Sequence, residues 1–117
     1  MAYNQALAER VRTSLLHLPH VEEKRMFGSL AFMVNGKMCI NVGKDRIMCR
    51  IDPSLHDQAL KRKGCTTVLM RGREYKGFVY VNEDELKLKR NLDYWIELSL
   101  DFNQRAKASK KTKSLHP

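Results

Sequence analysis

The sequence predicts an α+β fold, a two-layer antiparallel sheet with helices, and three observations predict it. Asn35-Gly36 lies between two apolar runs and is a strong short hairpin signal. Two further runs, TTVLMR (66–71) and GFVYVN (77–82), have strand composition and a turn between them. Helical spacing of apolar residues is confined to both ends and one short middle segment, so strands follow strands instead of alternating with helices. The expected order is α-β-β-β-α-β-β-α.

Over residues 4–18, Leu7, Val11, Leu15 and Leu18 recur at helical spacing, with Glu9, Arg10 and Arg12 elsewhere. Asn4 suits the N-cap and Pro19 ends the segment. The first strand falls in RMFGSLAFMVNG (25–36), which is apolar on both alternating sets. That marks a strand interior to the sheet whose second face needs a cover. Gly28 within it marks a bend, a bulge or a close backbone approach.

A two-residue type I′ turn at Asn35-Gly36 pairs Val34 with Lys37, Met33 with Met38, Phe32 with Cys39 and Ala31 with Ile40. A second turn around 43–46 sets Val42 opposite Ile47, Ile40 opposite Cys49 and Met38 opposite Ile51. A slip of one residue would set Asn41 against Ile47. In this register Phe27, Ala31, Met33, Met38, Ile40, Val42, Ile47, Cys49 and Ile51 form the core face. Leu30, Phe32, Val34, Cys39 and Met48 lie on the other, among Lys37, Asn41, Arg46 and Arg50.

Asp52-Pro53 opens a helix over 53–63, with Asp52 as N-cap, Pro53 at the first helical position and Gly64 just beyond the end. Residues 72–75 form the turn between the last two strands. The longest helix spans 83 to about 106, with Leu88, Leu92, Trp95, Ser99 and Phe102 as its apolar stripe and Ile96 and Leu98 flanking it.

The chain has 117 residues, enough for one domain with a modest core. No apolar run is long enough for a membrane-spanning helix, and the N-terminus lacks a signal-peptide pattern, so a cytoplasmic protein is expected. Net charge is +9. Residues 1–104 carry 17 basic and 13 acidic side chains, so more than half the excess lies in RAKASKKTKSLHP (105–117), a tail whose composition predicts disorder.

Several stretches are similar to the TfoX N-terminal domain family: VEEKRMFGSLAFMVNGKMC (21–39), KGFVYVNEDEL (76–86), LDYWIELSL (92–100) and the opening ALAERVR. Arg25-Met26-Phe27-Gly28 is its signature here, and Ser29 stands where the family usually shows a second glycine. The similarity spans residues 1–104 and implies a free-standing single-domain member, with a fold like that of type III secretion chaperones. It also implies a relation to the TfoX/Sxy regulators of DNA uptake competence in bacteria, which carry a further C-terminal domain. It supplies no catalytic residues.

The residues show no catalytic constellation either. Cys39, Cys49 and Cys65 are an odd count without a Cys-x-x-Cys pair, and the register puts Cys39 and Cys49 on opposite faces, so buried thiols are expected and no disulfide or zinc. His17, His20, His56 and His116 are scattered, and surface or cap positions are expected for them. No nucleophile elbow or phosphate loop occurs. The protein is therefore expected to need no cofactor and to act without catalysis; the resemblance implies a regulatory or adaptor domain, working through a protein partner or self-association.

The interface expected for it is an apolar patch of Leu30, Phe32, Val34 and Met48, rimmed by Lys37, Arg46 and Arg50. The alternative is that the last helix covers that face. A second partner class is nucleic acid, held electrostatically and without sequence preference by Lys61, Arg62, Lys63, Arg71, Arg73, Lys76 and the tail residues Lys110, Lys111 and Lys113.

Overall fold

Asn4 accepts a hydrogen bond from the backbone N–H of Leu7 at 2.9 Å and starts helix α1 (Gln5–Ser14), so the expected cap is in place. Leu7, Val11 and Leu15 are buried, although the helix stops one turn short of Pro19. The computed structural model describes residues 3–26 and 28–106. Phe27 and the tail from residue 107, with Lys110, Lys111, Lys113 and His116, lie outside the described residues.

The strands are β1 (Val21–Met26), β2 (Ser29–Val34), β3 (Lys37–Val42), β4 (Arg46–Arg50), β5 (Cys65–Met70) and β6 (Arg73–Asn82). They form one antiparallel sheet in the order β1-β2-β3-β4-β6-β5. The α+β class is as expected, with one strand more. Gly28 adopts φ +83° and turns the chain between β1 and β2, so the stretch expected to hold one strand belongs to two. Asn35 and Gly36 adopt φ +54° and +77°, as a type I′ turn requires, and Val34 faces Lys37.

The expected sidedness of the sheet is wrong for β2, and the cause is one residue. Met33 pairs with Met38, but Phe32 pairs with Ile40, not Cys39, so Cys39 is the extra residue of a β-bulge. Beyond it Ala31 meets Asn41 and Leu30 meets Val42. The β3–β4 register is the expected one at Ile40–Cys49 and Val42–Ile47, but the expected pairing of Met38 with Ile51 is absent, because the bulge at Cys39 puts Met38 on the other face. The bulge therefore brings Leu30, Phe32 and Val34 onto the face of Ile40, Val42, Ile47 and Cys49, and turns Met33 and Met38 to the opposite face. Two continuous ladders build the core side: Leu30-Val42-Ile47-Val81-Cys65 and Phe32-Ile40-Cys49-Val79-Thr67. All but Thr67 are buried.

The helices pack on that side. Arg12 of α1 pairs with Glu23 of β1 at 2.8 Å and lies over the Phe32 ring. The last helix is shorter than expected: a 3-10 turn over Glu83–Leu86 precedes α3 (Lys89–Asn103). Leu88 stands at its N-cap and is exposed; the buried stripe is Leu92, Trp95, Ile96, Ser99 and Asn103. Asn103 donates to the Val34 carbonyl at 3.1 Å, and Lys37 Nζ donates to the Asn103 and Ala106 carbonyls at 2.6 and 3.0 Å. A cation at the helix C-terminus thus ties α3 to the β2–β3 hairpin.

The middle helix also breaks up, into a 3-10 turn (Pro53–Leu55) and a short α2 (His56–Ala59). Asp52 caps the turn by accepting from the Ser54 N–H at 2.9 Å. The last hairpin turns at Arg71-Gly72, with φ +53° and +76°, earlier than expected, which lengthens β6.

Candidate functional site

The sheet has a second face, opposite the one on which the helices among the described residues pack. A ladder crosses it from edge to edge: Lys24-Ala31-Asn41-Met48-Tyr80-Thr66. Met33 pairs with Met38 beside it, and Phe78 alternates with Tyr80 along β6. Met33, Met38, Met48, Phe78 and Tyr80 are all partly exposed, whereas the ladders of the other face are closed. Methionine is flexible and polarisable and adapts to varied partners, so three of them beside two aromatics make a surface suited to docking.

The face carries a recess of about 410 Å³, lined by Ser29, Asn41, Lys44, Arg46, Met48 and Tyr80 among others. The Arg46 guanidinium lies 3.5 Å from the Tyr80 ring centroid, which holds both in place by a cation–π contact. Asn41 Oδ1 is buried and has no hydrogen-bond partner among the described residues. A buried acceptor without a donor is costly, so the recess suits a ligand group that brings an N–H or O–H.

Of the expected interface, only Met48 lies on this surface. Leu30, Phe32 and Val34 are 3%, 0% and 3% exposed, beneath α1 and α3. The patch expected there is core. Met33, Met38, Asn41 and Tyr80 take its place. The first two pair as expected; the missed element was the bulge that decides which side they face.

The basic residues do not form one surface. Lys61, Arg62 and Lys63 precede β5, and Arg71 and Arg73 stand at its far end, six residues on. At about 3.3 Å per residue the two groups are roughly 20 Å apart. Lys76 pairs with Asp57 at 2.8 Å and Glu74 at 3.7 Å, and the Asp57 hydrogen bond raises its pKa. Arg62 stacks on Tyr94 with its guanidinium 3.9 Å from the ring centroid, and Lys63 is 4.0 Å from Glu85.

The three thiols are free and buried. Cys39 and Cys49 both belong to the core cluster, not to opposite faces, again because of the bulge. Burial raises the thiol pKa of Cys39 and Cys49 to about 12 and that of Cys65 to about 11. Such thiols are poor nucleophiles at neutral pH.

His17 and His20 are exposed; His56, expected at a surface or cap position, follows the Pro53–Leu55 turn as its C-cap and is fully buried. Its Nδ1 accepts from the Gly77 N–H at 2.9 Å, and Nε2 lies 3.0 Å from Thr67 Oγ1 and 3.2 Å from Glu74 Oε2. The ring fastens α2 to β5 and β6. Among the described residues no group of three or more His, Cys, Asp or Glu is placed to hold a metal, and no helix is long and apolar enough to cross a membrane.

The fold and site thus define an α+β domain with helices on one face of its sheet and a methionine-rich face on the other. The chain belongs to the TfoX N-terminal domain family, whose family model matches residues 13–103. No curated protein and no solved structure matches it.

Proposed function

We propose that this protein is a non-enzymatic regulatory or adaptor domain, acting in the cytoplasm through protein contacts made by the uncovered sheet face. The observation that carries this reading is the placement of Met33, Met38, Met48, Phe78 and Tyr80, partly exposed, opposite a closed core. Membership of the TfoX N-terminal domain family supports a regulatory setting. The raised thiol pKa values and the use of His56 as a structural tie leave those groups unsuited to acid–base or nucleophilic work.

The test is a double substitution, Met38→Glu with Met48→Glu. Both side chains are partly exposed on the open face, so the melting temperature should change little. Capture of partner proteins from the native cell, identified by mass spectrometry, should be lost. Capture that is unchanged by the substitutions, with the fold intact, refutes the reading.

A further inference from the structure

We propose that the outer edge of β5 receives a strand from an acidic partner: an extended segment with a short uncharged centre and carboxylates at both ends. The sheet order leaves two edges, β1 and β5. They differ sharply. β1 reads VEEKRM, and charges along an edge oppose strand addition. β5 reads CTTVLM and has no charged residue. Thr66 is exposed, as are Leu69 (62%) and Met70 (44%). An uncharged edge with exposed apolar side chains is a template for an incoming strand, here in two short runs on either side of the register shift at Val68.

The flanks specify the partner. Lys61, Arg62 and Lys63 stand before β5, and Arg71 and Arg73 after it. Lys61, Arg71 and Arg73 make no ion pair among the described residues, in a domain where most carboxylates are engaged. A second copy of this chain does not fit. Antiparallel pairing of two β5 edges sets the Arg71 end of each against the Lys61 end of the other. Parallel pairing sets like end against like end. Cations meet cations both ways, and like charges face to face are destabilising. Carboxylates about 20 Å apart, on either side of a strand of β5's length, match the edge instead. Nucleic acid would satisfy the cations but leave Leu69, Met70 and the backbone groups of the edge unused.

The probe is a fluorescein-labelled Asp-Glu-Val-Thr-Val-Thr-Val-Glu-Asp peptide, titrated with the full chain at about 100 mM salt, where the screening length is about 10 Å. Binding is expected, with slowed amide exchange in β5 and none in β1. An analogue N-methylated through its centre, one with lysine flanks, and the Lys61→Glu, Arg73→Glu double variant should each bind at least roughly tenfold more weakly, a difference of about 1.4 kcal/mol. The substituted side chains are exposed, and an unchanged melting temperature verifies the variant's fold. Four results overturn the proposal: no binding; equal binding of the N-methylated peptide, which means adsorption without strand pairing; protection at β1; or a random DNA duplex that displaces the peptide and depends on the same cations. The edge meets the methionine face at Thr66, but the residues substituted in the two tests do not overlap, so either reading can fail while the other stands.

Discussion

His56 shows how a side chain becomes structural when each ring nitrogen is given a fixed task. Nδ1 accepts the Gly77 N–H, so the proton of the neutral ring sits on Nε2, toward Thr67 and Glu74. Thr67 and then His56 hold the Glu74 carboxyl below its ordinary pKa by hydrogen bonds that favour its charged form. Nitrogen-15 NMR should show the Nε2–H tautomer. His56→Ala should cost about 3 kcal/mol in denaturant unfolding, because it opens a cavity and strands a buried N–H. A loss under about 1 kcal/mol would refute the role. Nothing adjacent in sequence points to it: the Gly77 partner is 21 residues away, and a histidine beside Asp57 and Gln58 reads as a surface or cap residue. Met48, by contrast, is legible, because its alternation with the buried Ile47 and Cys49 is clean.

At the scale of elements, the legible features were those with local chemistry: the Asn4 and Asp52 caps, the Asn35-Gly36 turn, and the β3–β4 register that keeps Asn41 away from Ile47. The illegible ones needed information from outside the element. Because β2 is apolar on both faces, alternation could not say which face the helices take, and the bulge at Cys39 decided it. Two glycines, one in the β2–β3 turn and one within β6, give a graded test of the backbone. Gly36 and Gly77 both have positive φ, +77° and +93°. A Cβ at Gly36 meets nothing within 4 Å, whereas one at Gly77 comes within 3.0 Å of the Ile51 carbonyl oxygen, a backbone atom. Gly36→Ala should therefore cost only the strain of a left-handed residue, about 1–2 kcal/mol. Gly77→Ala should cost more than that, since β6 must also move away from Ile51. Equal losses in urea unfolding would show that the β6 backbone yields without penalty.

For the whole molecule, composition describes the charge balance but not which basic residues the fold engages. Arg105, counted with the basic tail, belongs to the folded unit: it reaches Asp52 and Asp101 at 2.7 and 2.8 Å, while the Ala106 carbonyl accepts from Lys37. Asp52 thereby joins the segment after α3 to the exit of β4. Its carboxylate accepts from Arg105, then from the Ser54 N–H and hydroxyl, and these bonds depress its pKa from 3.8 to about 2. A depressed carboxyl stabilises the fold fully above its unfolded pKa, and that contribution drains away as pH falls through the folded value. Asp52→Asn should therefore lower stability most above about pH 4, where the carboxylate is charged in both states, and the two proteins should converge as pH approaches 2. Arg105→Ala should reproduce the neutral-pH loss only in part, since the Ser54 bonds remain. Truncation after Ala106 keeps both contacts and should leave the profile unchanged. Denaturant midpoints measured from pH 2 to 7 on the four proteins check this. A constant difference between wild type and Asp52→Asn across that range would mean that Asp52 acts through shape and hydrogen bonding alone, without its charge.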